Sequence, residues 1–243
     1  MMRSMLRLLT AGESHGMALV GVLEGLPSGV PVSPKEIAGE LARRRHGHGR
    51  SGRQKLEGDR FEIVSGVRHG RTLGSPIAVT IENAEWDEKY RDLMAVEGEP
   101  DPAERLTRPR PGHADLAGAL KYGFDDVRNV LERASARETA MRVALGVFCK
   151  ALLAELGIAV VSHVVRVGKV AVRSTRLPRP EDLEVVDASP VRCFDEVASE
   201  RMVAEMRSSI EDVRAAGVQQ LDAAAQSVQA DAKSRGGRSQ LAT

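Results

Sequence analysis

Residues 6–24 read Leu6-Arg7-Leu8-Leu9-Thr10-Ala11-Gly12-Glu13-Ser14-His15-Gly16-Met17-Ala18-Leu19-Val20-Gly21-Val22-Leu23-Glu24. Two apolar, strand-length runs, Leu6–Thr10 and Ala18–Glu24, flank a polar loop bracketed by glycines, which predicts two strands joined by a tight connection. Working outward, Ser33-Pro34-Lys35-Glu36 is a helix start, with a capping serine, proline at the first helical position and glutamate placed for a capping box. Ile37 and Leu41 then form one apolar face that runs into Arg43-Arg44-Arg45. Phe61–Val67 and Pro76–Ile81 read as further strands divided by a turn through Arg68–Gly74, and residues 84–112 read as a long exposed excursion. Small and apolar residues recur at helical spacing from Ala134 to Leu156, stopped by Gly157. Ile158–Val165 and Lys169–Val172 are β-rich. A last helix is expected from Val197 to Ala216, with Met202, Met206, Ile210 and Val213 on one face. Beyond Gly217 the composition turns to Ala, Gln, Ser and Asp, with little apolar surface to offset the entropy of ordering.

The whole chain has 243 residues, a net charge of +1 and 3% aromatic residues. It is long enough for a real core, built mostly from Val, Leu, Ile, Ala and Met. The balanced charge and the scarcity of stacking aromatics argue against a nucleic-acid partner. No run reaches the ~18–20 apolar residues of a membrane span. Cys149 and Cys193 lie far apart without metal-ligand spacing, and Cys149 reads as a reduced core thiol; with no signal-peptide cleavage pattern after Met1–Leu9, a cytoplasmic location is expected. No metal-ligand spacing completes a site around His46, His48 and His69.

Four segments can carry chemistry. Gly12-Glu13-Ser14-His15-Gly16 lets backbone amides approach a ligand beside a histidine, a group that exchanges protons near neutral pH. It also fits the Gly-x-Ser-x-Gly pattern of a serine hydrolase elbow at Ser14, although a strand rather than a helix is expected to follow. Arg43–Lys55 is a dense basic run with interleaved glycines, suited to phosphate oxygens, and includes Arg44, Arg50 and Arg53. Arg108-Pro109-Arg110-Pro111-Gly112-His113-Ala114-Asp115 is a stiff turn leading to a second histidine, which Asp115 is placed to orient. Glu132-Arg133-Ala134-Ser135-Ala136-Arg137-Glu138-Thr139 puts small and hydroxyl residues at a helix start, an arrangement that suits a phosphate. His163, inside an apolar run, reads as a satisfied structural histidine.

In this order, these segments resemble chorismate synthases. The resemblance rests on Thr10–Gly16, the Arg-Arg…Gly-His-Gly-Arg segment, Ser65–Ile77, Arg110–Asp115 and Tyr122–Thr139, and covers roughly residues 5 to 216. It implies an α+β fold, a β-α-β sandwich of antiparallel sheets with helices between them, assembled as a homotetramer. The implied reaction is the anti-1,4-elimination of phosphate from 5-enolpyruvylshikimate 3-phosphate, with reduced FMN and without net redox change. By motif position, His113 would assist the leaving phosphate and His15 would poise the flavin. Arg44 and Arg50 match positions for NADPH (in bifunctional members) and the substrate region, and Arg133, Ala134 and Ser135 match an FMN-contacting stretch. Ser14, Arg53, Arg110 and Arg137 would bind substrate. No late Arg-Ser-Asp motif follows. A C-terminally incomplete domain over 1–217, a tail over 218–243, an uncovered Met202 stripe and loss of activity are therefore expected; a non-catalytic anion-binding remnant is the alternative.

Overall fold

The computed structural model describes residues 5–48 and 58–212. Arg50, Arg53 and the tail beyond Gly217 lie outside the described residues. Described residues up to Val160, apart from Gly47 and His48, form one compact unit, and those from Val161 onward, with Gly47 and His48, form a second.

The first unit is built on a four-stranded antiparallel sheet in the order β1-β2-β7-β4, where β1 is Arg7–Ala11, β2 Ala18–Glu24, β4 Phe61–Ser65 and β7 Ile77–Glu82. Successive residues of a strand face opposite sides. On β2 and β7 this buries Leu19, Leu23, Ile77, Val79 and Ile81 and leaves Val20 open. On the buried side lies α4 (Thr139–Glu155), which lays Met141, Ala144, Leu145 and Phe148 against those strands. Gly21 gives it room, since a Cβ there would run into the Met141 thioether and Leu145. Beside α4 packs α1 (Pro34–Arg45), which adds Ile37 and Leu41 to the same core. Ser33 caps α1 by accepting the Lys35 amide.

The turn expected at Arg68–Gly74 is itself paired structure. Val67–Arg68 (β5) and Arg71–Leu73 (β6) join Ser28–Pro31 (β3) in a three-stranded sheet of order β3-β6-β5. The fold is thus α+β, with antiparallel sheets and helices packed together. Two short helices went unread in the sequence: α2 (Asp115–Tyr122), ended by Gly123 in the left-handed conformation, and α3 (Arg128–Arg133). The helix predicted from Ala134 starts five residues later. Ser135 is extended and accepts the Arg137 amide, which caps a 3₁₀ turn, Ala136–Glu138, before α4 begins.

Ile158–Val160 of the first unit and Val161–Val165 of the second do not form the expected strand. No neighbouring strand pairs with either piece among the described residues, and β-propensity without a ladder does not make a sheet. In the second unit, a hairpin of β8 (Arg166–Val167) and β9 (Val170–Ala171), α5 (Leu183–Ala188) and a helix over residues 196–212 surround a small core of Cys193, Ala198 and Met202. Met202 is therefore enclosed, whereas Ile210 stays exposed, so the uncovered stripe expected from sequence is shorter than predicted. Among the described residues, neither buried ring nitrogen of His163 has a hydrogen-bond partner, which corrects the reading of it as a satisfied histidine. No described helix is long and apolar enough to cross a membrane.

Candidate active site

The loop between β1 and β2 meets the segment 132–139 on the first unit. The Ser14 amide donates to the Glu132 carbonyl at 3.0 Å, and the His15 amide donates to the Glu132 carboxylate at 2.9 Å. Nδ1 of His15 lies 2.8 and 2.9 Å from the two carboxylate oxygens, and the ring sits against Tyr90 with centroids 4.2 Å apart. One residue on, the Arg133 guanidinium donates to the Gly12 and Thr10 carbonyls and to the Thr10 hydroxyl, at 3.2, 2.7 and 2.9 Å. Arg44, at the end of α1, donates to the Ala136 carbonyl at 2.9 Å and to the Thr139 hydroxyl at 3.3 Å. Glu138 balances this basic cluster: burial pushes its carboxyl up, but hydrogen bonds from Arg142 and Thr10 outweigh burial and hold it below its ordinary value.

Residues separated by more than a hundred positions in sequence thus meet around one glycine-bracketed loop. His15 stands on that loop and Arg133 reaches it, while Arg44, Ala134 and Ser135 lie in or against the segment 132–139 that meets it. Arg137 is adjacent but plays a different part. It is 4% exposed, and its guanidinium donates to the Asp59 carboxylate, to Asn83 Oδ1 at 3.0 Å and to the Glu82 carbonyl at 3.0 Å. Asn83 in turn donates from Nδ2 to the Glu13 and Gly16 carbonyls, at 3.1 and 2.6 Å. Arg137 therefore holds the loop through Asn83, and the sequence-based reading of a substrate contact gives way to a structural one. Ser14 is 2% exposed and sits between two antiparallel strands. A hydrolase elbow needs an exposed serine on a strand-to-helix turn, so that alternative fails here.

The second histidine stands on the excursion. Its Nδ1 lies 3.0 Å from the Pro111 carbonyl. Asp115 does not orient it. The aspartate is fully buried at the start of α2 and accepts from Arg110 three times, from the amide at 3.0 Å, Nε at 2.8 Å and Nη2 at 2.9 Å. Two neighbours in i,i+2 relation point apart, and the arginine three residues before His113 reaches the carboxylate instead. The Arg110 guanidinium also feels the charge of Glu132, which ties this loop electrostatically to the His15 cluster.

The Arg110 hydrogen bond holds the Asp115 carboxyl at about 2, below its ordinary 3.8. Since the folded value is depressed, the pair's stabilisation is complete above about pH 4 and is lost as the pH falls towards 2. Urea midpoints followed down this window should drop more steeply for the parent than for Asp115→Asn. Parallel acid limbs would remove Asp115 from the acid response.

Glu132 and Thr10 stood inside quoted motifs without a role of their own, and Asn83, Asp59 and Tyr90 went unread. Nothing in the local sequence says which distant side chain returns to a glycine loop or a small-residue helix start.

The family model for chorismate synthase matches residues 6–229. The chain belongs to the chorismate synthase family. Its match runs past Gly217, where the sequence reading had ended the resemblance. Relatives named chorismate synthase include those of Salinispora tropica, 56% identical over 88% of this chain and 56% of the relative, and Leifsonia xyli, 56% identical over 86% and 53%. That of Thermobifida fusca is 54% identical over 88% and 55%. A crystal structure of a chorismate synthase superposes with a TM-score of 0.62 at 40% identity, covering 87% of this chain and 54% of that one. The chain spans about half the length of the curated relatives it matches.

Proposed function

We propose that this chain carries part of the active site for anti-1,4-elimination of phosphate from 5-enolpyruvylshikimate 3-phosphate, giving chorismate in the shikimate pathway to aromatic amino acids. Beyond family membership, the reading rests on His15 and Arg133 meeting at the Gly12–Gly16 loop, with Arg44 on the adjoining turn at Ala136 and Thr139. Preorganised guanidinium and imidazole groups there can hold an anion and exchange protons. Arg110 and, outside the described residues, Arg53 add positive charge for the substrate's phosphate and carboxylates.

The cofactor of this reading is reduced FMN. The residues present fit its anionic end: the Arg133 guanidinium is partly exposed beside Ser135 and the 3₁₀ turn, and Arg44 reaches the same turn. When bound, the flavin supplies transient electron density to the substrate with no net redox change. The chain's own part is proton and charge management. His113, with Nδ1–H directed to a carbonyl, delivers a proton to the departing phosphate from Nε2, and His15 holds its proton beside the flavin. By motif position, Arg44 and Arg50 serve NADPH if the chain also reduces its flavin. The proposed assembly is a cytoplasmic homotetramer.

The test is an anaerobic assay with photoreduced FMN and substrate, on a chimera joining residues 1–217 to the remainder of the Salinispora tropica relative. Chorismate formation at ordinary enzyme rates, ~1 s⁻¹ or faster, is expected. A folded chimera that binds both ligands without turnover would leave the anion-binding remnant as the better reading. The same assay on the 243-residue chain alone decides the expectation of inactivity.

A further inference from the structure

One buried carboxylate carries the loop on which His15 stands. Glu132 is 1% exposed and lies near the end of α3, where its main-chain carbonyl accepts the Ser14 amide at 3.0 Å. Its side chain takes the His15 amide on Oε2 at 2.9 Å and meets the ring Nδ1 with both oxygens, at 2.8 and 2.9 Å. A carboxylate offers acceptors only, so Nδ1 must bring the proton. The tautomer of a histidine is set by the bond its other nitrogen makes.

We propose that Glu132 is the positioning residue of His15, locking the imidazole as the Nδ1–H tautomer so that any proton His15 exchanges passes through Nε2. The geometry does this from three sides. The amide bond fixes where the carboxylate stands, the carboxylate fixes the edge of the ring, and Tyr90 against the ring face limits its rotation. Because Glu132 is enclosed, water does not compete for its oxygens. The catalytic consequence rests on the proposed role of His15; the tautomer does not.

The experiment labels the chain with ¹⁵N-histidine and reads two-bond nitrogen–proton correlations at a pH where imidazoles are neutral, with His15→Asn assigning the resonance. The parent should show His15 with its proton on Nδ1. In Glu132→Gln, an amide that keeps its oxygen on the His15 amide must turn its NH₂ towards Nδ1, so the proton should move to Nε2. Glu132→Asp, which keeps acceptors only, should retain Nδ1–H. An Nε2–H signal in the parent overturns the proposal without needing any variant to fold, and so does an unchanged tautomer in folded Glu132→Gln. In the chimera, Glu132→Gln should lower kcat by up to ~10⁴ with KM little changed, the size of loss that follows when an orienting carboxylate becomes an amide. A switched tautomer with unchanged kcat supports the positioning and sinks the catalytic role proposed for His15.

Discussion

Arg137→Leu is expected to lower the stability of the chain by about 3–5 kcal/mol, because it takes from the buried Asp59 carboxylate its hydrogen-bonded guanidinium and leaves Arg45 Nε 3.7 Å away. Arg137 and Asp59 are each about 5% exposed or less, so water cannot take the place of the lost guanidinium. The same substitution frees Asn83 Oδ1 and the Glu82 carbonyl, both of which need donors when enclosed. In a chain of this length such a loss lowers the melting temperature by on the order of 10 °C. The loop should loosen as well, since Asn83 holds its Glu13 and Gly16 carbonyls. Adding Asp59→Leu should restore much of the stability by removing the stranded charge. A melting curve within two or three degrees of the parent for the single variant would show that Arg137 is a surface group after all, and would return it to the substrate site.

His113→Ala should have the opposite signature. In the chimera it should slow single-turnover phosphate elimination by roughly 10²–10⁴, the usual contribution of a positioned acid. Flavin binding and melting temperature should change little, because the side chain is exposed and its one hydrogen bond goes to a local carbonyl. Rates within threefold of the parent would leave His113 as a loop histidine. Taken together, the two variants separate a residue that builds the site from one that works in it.

Much of this was open to local reading. The alternation on β2, the Ser33-Pro34 start of α1 and the apolar spacing inside α4 are each decided by neighbours within a turn or a strand, so the elements could be named from residues alone. The convergence of the glycine loop with segment 132–139 was legible only as order along the chain. The exchange of partners at Asp115, which binds Arg110 rather than His113, was not legible at all. An arginine side chain spans a distance that a short backbone interval does not reveal, and which cation reaches a buried carboxylate is settled by three hydrogen bonds made together.

The sequence by itself determined the family and the residue types that handle phosphate and protons, because these follow from motif and side-chain chemistry; the α+β class was implied by the family resemblance. Only the tertiary structure decided which of those residues are enclosed by their neighbours and which stay open to solvent. Arg133 and Arg137 are four positions apart and chemically identical. One lies at the surface against main-chain carbonyls, and the other is enclosed with Asp59 and Asn83. What separates them is burial: it fixes which cations have their donors consumed by the protein, and burial is a property of the packed whole rather than of any stretch of chain.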